Sequence, residues 1–127
     1  MKYFFLMILA TTILSCKKQA VNDDSLVQYN ITTVAGPDIG SVGQPMAFTV
    51  SYPYSNGCQV VDTFKEEPKG NIIVIKAFGH YDKNAICTQD AGIRSKTYTF
   101  TPPSKGTFIL RFTSIDNTYV SHTITIN

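Results

Sequence analysis

Met46-Ala47-Phe48-Thr49-Val50-Ser51-Tyr52 alternates large apolar residues with small ones without a break. A period of two sends successive side chains to opposite faces of a strand. Met46, Phe48, Val50 and Tyr52 therefore share one face, and Ala47, Thr49 and Ser51 the other. A helix needs apolar residues three or four apart, and no stripe of that spacing and length runs through the chain. Working outward, Gly36-Pro37-Asp38 and Gly40 to Pro45 read as turns, and Val27, Tyr29 and Ile31 alternate as a first strand. Downstream, Cys58 to Phe64 reads as a third strand, and Lys65-Glu66-Glu67-Pro68-Lys69-Gly70 as a solvated charged turn. Asn71 to Gly79 is apolar on both faces, as a strand covered on two sides would be. Tyr98 and Phe100 mark a fifth strand stopped by Pro102-Pro103. Phe108, Leu110 and Phe112 mark a sixth, and Val120, His122, Ile124 and Ile126 a seventh. The pattern predicts an all-β domain of seven antiparallel strands in two sheets over residues 26–127.

The 127 residues are 43% hydrophobic and 12% aromatic, enough for one globular domain. Eleven Lys and Arg against nine Asp and Glu give a net charge of +2, with no basic run. That balance lacks the electrostatic footprint of a nucleic-acid-binding protein.

Tyr98 to Phe112 runs strand, Pro/Gly turn, then an aromatic-x-aliphatic strand, and Gly43-Gln44-Pro45 precedes the alternation described above. Both segments resemble bacterial immunoglobulin-like domains, the first their penultimate-strand region and the second their second strand. The resemblance implies a seven-stranded antiparallel immunoglobulin-like β-sandwich and carries no activity with it. The chain has no tryptophan and lacks the inter-sheet cysteine spacing of antibody domains.

Ahead of this domain lie one positive charge at Lys2, an apolar run from Tyr3 to Leu14, and Ile13-Leu14-Ser15-Cys16. This is the layout of a secretory signal. Its roughly twelve apolar residues would span about 18 Å as a helix, well short of the roughly 30 Å hydrocarbon core. Ile13, Ser15 and Cys16 resemble a bacterial lipoprotein lipobox, with Leu14 larger than the residue usual at its place. The resemblance implies cleavage after residue 15, acylation of Cys16, and a membrane partner reached through the lipid. Lys17, where an aspartate would mark inner-membrane retention, implies the outer membrane of the cell envelope. Residues 16–25 then form the lipidated cysteine and a polar tether of roughly 15–18 Å.

Acylation of Cys16 leaves Cys58 and Cys87, an even pair suited to an oxidising compartment. With strand directions alternating, the loops after the second, fourth and sixth strands share one end of the sandwich, which brings these two cysteines together. A disulfide closing about 30 residues stabilises by roughly 3.5 kcal/mol in the chain-entropy account.

Catalytic readings find little to rest on. His80 and His122 lack ligand spacing and a third soft ligand, so no metal or cofactor is expected. His122 falls on the inward phase of the last strand, where a buried, hydrogen-bonded imidazole is expected. No nucleophile elbow appears, Glu66-Glu67 is not expected to work as an acid/base pair, and Asn30-Ile31-Thr32 reads as strand rather than glycosylation site. The parity that joins the cysteines also gathers Tyr52, Tyr54, Asn56, His80, Tyr81 and Asp82, with Asp116-Asn117, at the same end. Tyrosine and asparagine on stapled loops suit adaptable binding of a glycan or a protein. The expectation is a non-enzymatic binding or scaffolding lipoprotein. Its rival is a carbohydrate-binding or accessory module of a surface enzyme or uptake system.

Overall fold

In the computed structural model, which describes residues 26–81 and 84–127, the chain forms nine strands. They are β1 (Leu26–Tyr29), β2 (Thr33–Ala35), β3 (Ile39–Gly40), β4 (Met46–Tyr54), β5 (Thr63–Lys69), β6 (Ile72–His80), β7 (Gly92–Phe100), β8 (Gly106–Thr113) and β9 (Tyr119–Ile126). The leader, the tether and Asp82 lie outside the described residues.

The founding alternation in β4 holds. Met46, Phe48, Val50 and Tyr52 are buried and Ala47 and Thr49 exposed. β4 is the middle strand of a three-stranded sheet, β2-β4-β7, paired along its whole length with β7 from Met46↔Phe100 to Tyr54↔Gly92. The facing sheet is built round β6. On one side β6 pairs with β5, from Lys69↔Ile72 to Thr63↔Phe78. On the other it pairs with β8 over its first half and with β1 over its second. β9 and then β3 continue this sheet beyond β8.

Between the sheets Phe48, Val50, Ile75, Leu110, Phe112 and Ile124 are fully buried. Each such side chain contributes about 1.5–3 kcal/mol through removal from water. Tyr98 of β7 stands at the centre, its ring edge-on to Phe64 at 5.4 Å and to Phe112 at 5.5 Å. Its hydroxyl donates to the Glu66 carboxylate, which ties β7 to β5 along one side of the sandwich. Burial, and then the Glu66 bond, push the Tyr98 pKa far above the ordinary tyrosine value.

Four expectations need correction. The first strand is three short pieces: β1 joins the larger sheet, β2 crosses to the smaller one, and β3 returns to lie beside β9. The crossings fall at residues 30–32, 36–38 and 41–45, and Gly40 ends a strand rather than opening the turn expected there. Second, residues 58–62 are loop, and the third strand is β5, shifted onto the supposed charged turn. Lys65, Glu66, Glu67 and Pro68 form a free edge, where charges and a missing N–H are tolerated and discourage pairing with other chains. The turn itself is Gly70-Asn71, with Gly70 at φ 65°. Third, the sheets are not wholly antiparallel, because β6 pairs parallel with β8 and β3 parallel with β9. Fourth, β6 is central within its sheet, but among the described residues no second layer covers its outer face. Val74, Lys76 and Phe78 point outward among the long side chains of neighbouring strands, and Ile73, Ile75 and Ala77 point into the core.

Candidate functional site

The loops after β4, β6 and β8 do gather at one end. Cys58, in the first, is disulfide-bonded to Cys87, in the second, with Cα atoms 5.3 Å apart. The loop from Ser55 to Asp62 is also held by directed hydrogen bonds. Gly57 N–H donates to the Thr88 carbonyl at 2.9 Å, and Cys58 N–H to Asn56 Oδ1 at 3.0 Å. Arg94 Nη1 donates to the Gln59 carbonyl at 2.6 Å, and Asp62 N–H to the Phe78 carbonyl at 2.9 Å. Asn56 is thus a turn residue, its side chain spent on the loop's own backbone.

The tyrosines expected to form a platform are spread over different environments. Tyr52 is 2% exposed, packs edge-on against Tyr29 at 5.6 Å, and accepts the Val61 N–H at 3.0 Å on its hydroxyl. It supports the loop from beneath and cannot stack on a ligand. The inward phase of β4, already legible in the Met46-Phe48-Val50-Tyr52 alternation, decides this and outweighs the platform expected of Tyr52 at the loop end. Tyr54, on the same phase but at the strand's end, is half-buried. Its ring lies under the Arg94 guanidinium at 4.0 Å, and its hydroxyl points to Asp90 at 3.4 Å. A hydrogen bond from Thr88, followed by weaker ones, holds the Asp90 carboxyl below its usual range. Tyr54 lines an open cleft of about 320 Å³ with Gln28, Asn30, Ser55, Gln59 and Ile115.

His80 ends β6, with Nδ1 2.6 Å from Asp62 Oδ2. Its backbone N–H donates to the same carboxylate at 3.2 Å. These bonds, the side-chain one foremost, lower the Asp62 pKa. Both side chains are about half exposed, so the pair fastens the loop to the strand in contact with water. Tyr81 follows, half-buried. Of the six candidates, the structure brings Tyr54 into a cleft, places Asn56 and His80 in structural bonds, and sets Tyr52 in the core. At the third loop, Asp116 accepts from the Thr118 N–H and hydroxyl, and Asn117 takes φ 65° to close the turn.

His122 points inward from β9, half-buried, its ring edge-on to Phe48 at 5.2 Å. Nε2 lies 3.1 Å from the Pro37 carbonyl and 3.0 Å from Asp38 Oδ1, so it latches the turn between β2 and β3. Among the described residues no three His, Cys, Asp or Glu converge as a metal site would require.

A second feature is not singled out by reading the sequence. Lys65, Lys69, Lys76 and Arg111 occupy the outward phase of β5, β6 and β8, with Tyr119 of β9 beside them. The available signal was Lys76, the lone cation inside the apolar run of β6, whose position implies a polar use for that strand's outer face.

Fold and loops together define a β-sandwich domain with one end clasped by a disulfide. The chain belongs to the ORF11 beta-sandwich domain family, which it matches over residues 48–127, from within β4 onward. No curated protein and no solved structure matches the chain.

Proposed function

We propose that the chain is a lipid-anchored protein of the bacterial cell envelope, placed at the outer membrane by an acylated Cys16. In this reading its immunoglobulin-like sandwich binds or scaffolds a partner and performs no chemistry. The observation that carries it is Ile13-Leu14-Ser15-Cys16 at the end of the apolar leader. The Cys58–Cys87 bond supports it, because it suits an oxidising compartment and leaves Cys16 as the third cysteine. Two or three acyl chains, at about 0.8 kcal/mol for each buried CH₂, hold such a protein stably on a bilayer.

Mass spectrometry of the mature N-terminus tests the anchor. The expected peptide begins at Cys16 and carries acyl mass, and Cys16→Ser releases the protein from the membrane fraction. An unmodified Cys16, or cleavage elsewhere, overturns the reading. The accessory glycan-binding alternative loses the tyrosine platform imagined for it at the loop end, because Tyr52 is buried. What favours keeping it is the cationic outer face of the larger sheet.

A further inference from the structure

Four cations, Lys65, Lys69, Lys76 and Arg111, project from the outer face of the larger sheet, and Glu67 is the carboxylate among them. Glu66 also lines one of the clefts, at its rim, with its carboxylate accepting the Tyr98 hydroxyl. Two shallow clefts of about 240 Å³ each lie on this face and share Glu67, Val74 and Lys76. Together they make a furrow running across β5, β6, β8 and β9. At the usual strand spacing it is about 14 Å long.

The cations are prearranged. Lys65 Nζ lies 5.0 Å over the Phe78 ring, and the Arg111 guanidinium lies 4.5 Å over Tyr119. Lys69 has a loose contact to Glu67 at 3.8 Å with both side chains mostly in water, which neutralises little. Arg111 Nε is buried and has no hydrogen-bond partner. Thr113 and Asn117 line the same furrow at its Tyr119 end. The nearby Asp116 is engaged by Thr118.

We infer that this furrow binds an acidic polysaccharide, with carboxylates of successive uronate residues paired to Lys76, Arg111 and Lys69, and sugar hydroxyls reaching Thr113 and Asn117. Charge complementarity selects an anion, and the shape selects a chain. The cations lie along a groove and are interleaved with neutral hydrogen-bonding groups, as hydroxylated, carboxylated rings require. A planar sheet of lipid phosphates would make no use of the neutral Thr113 and Asn117 set between the cations in the cleft. This rests on the binding reading of the domain and is independent of the anchor at Cys16.

The test is calorimetric titration of the detergent-solubilised full-length protein with oligogalacturonate, its neutral methyl ester, and phosphatidylglycerol vesicles. Oligogalacturonate should bind, weaken with added salt, and lose roughly tenfold in affinity for each of Lys76→Gln and Arg111→Gln, as the loss of one charge-assisted bond implies. Lys69→Gln, at an exposed position, gives the same sign if Arg111→Gln does not fold, and Lys105→Gln, in the turn between β7 and β8, should change nothing. Binding of the methyl ester with equal affinity overturns the proposal. So does binding of the vesicles alone, or of no probe, or oligogalacturonate binding that survives the furrow substitutions. The N-terminal mass of the same preparation reports the anchor separately.

Discussion

Gly79 is where the disulfide-bearing loop presses closest on the sheet, and Gly79→Ala measures how firmly that loop is seated. A methyl group on its Cα would stand 1.9 Å from the Val60 carbonyl oxygen, 2.9 Å from the Val60 carbonyl carbon and 3.0 Å from Tyr29 Cε2. Real Cβ atoms keep at least 3.0 Å from such neighbours, so the Val60 backbone must retreat by at least 3.0 − 1.9 = 1.1 Å. It has little room to do so. Two residues earlier Cys58 is bonded to Cys87, and just beyond it Val61 and Asp62 donate their N–H groups to Tyr52 and Phe78. Overpacking against a held backbone should therefore cost near the upper end of the usual range, about 3 kcal/mol. For a domain of this size that is a drop of roughly 10–20 °C in Tm. In a Cys58→Ser/Cys87→Ser background the loop can back away. The same substitution should then cost about 1 kcal/mol, a coupling of about 2 kcal/mol. Thermal unfolding of the four proteins by circular dichroism completes the cycle. Gly57→Ala is the control, because its methyl would meet the Thr88 hydroxyl, a side-chain end that can rotate aside. A Gly79→Ala protein melting within about 2 °C of the parent would show that Val60 does not lie over β6. An equal loss in both backgrounds would show that the disulfide does not hold the loop.

Cys58→Ser alone should destabilise the oxidised domain by about 3.5 kcal/mol, and reductant should lower the melting temperature of the parent but not of the variant. An unchanged melting temperature would refute the bridge's role. Tyr98 should stay un-ionised in an ultraviolet alkaline titration when exposed tyrosines have already titrated. Because its pKa is raised on folding, its contribution is full below about pH 10 and falls as pH climbs above that. Tyr98→Phe should remove this alkaline loss and cost about 1 kcal/mol at neutral pH. Asp62, whose pKa is lowered on folding, contributes above its unfolded value and loses that contribution as pH falls below about 4. With both partners half in water, Asp62→Asn should cost only a few tenths of a kcal/mol at neutral pH and should flatten the acid limb of a stability profile.

The elements most legible in sequence are those whose two faces differ. β4, β8 and β9 alternate cleanly because one face meets the core and the other meets water. Parity of strand direction then sufficed to pair Cys58 with Cys87. β5 was hidden because a free edge strand looks like a turn: charges and Pro68 protect it from other chains, and they are also what loops are made of. The first half of β7 was hidden for a similar reason. Ile93, Ser95 and Thr97 face water, and the inward Arg94 and Lys96 lie toward the sandwich margin, so pairing with β4 rather than burial makes it a strand. The candidate site was legible only as a neighbourhood. Sequence placed the six residues at one end, and the alternation of β4 already set Tyr52 on the buried phase; what it did not show is that Tyr54, on the same phase, lies past the edge of the core and opens onto the cleft. The cationic furrow depends on the register of β5, β6 and β8, which brings Lys65 opposite Lys76 and Val74 opposite Arg111 across gaps of many residues.

The parallel pairings carry a consequence for when the domain can form. β3 is held by β9, with Ile39 beside Thr125, and β6 by β8, with Ile72 beside Ile109. A nascent chain that has emerged only as far as β7 can zip the β4–β7 and β5–β6 pairs. It has nothing to seat β3 and nothing to pair with the first half of β6 on the side away from β5. Completion waits for the last strand to arrive, so the polypeptide stays loose through most of its synthesis and locks late. A chain truncated before β9 should accordingly lack a stable fold, since β3 and the free side of β8 would have no partner.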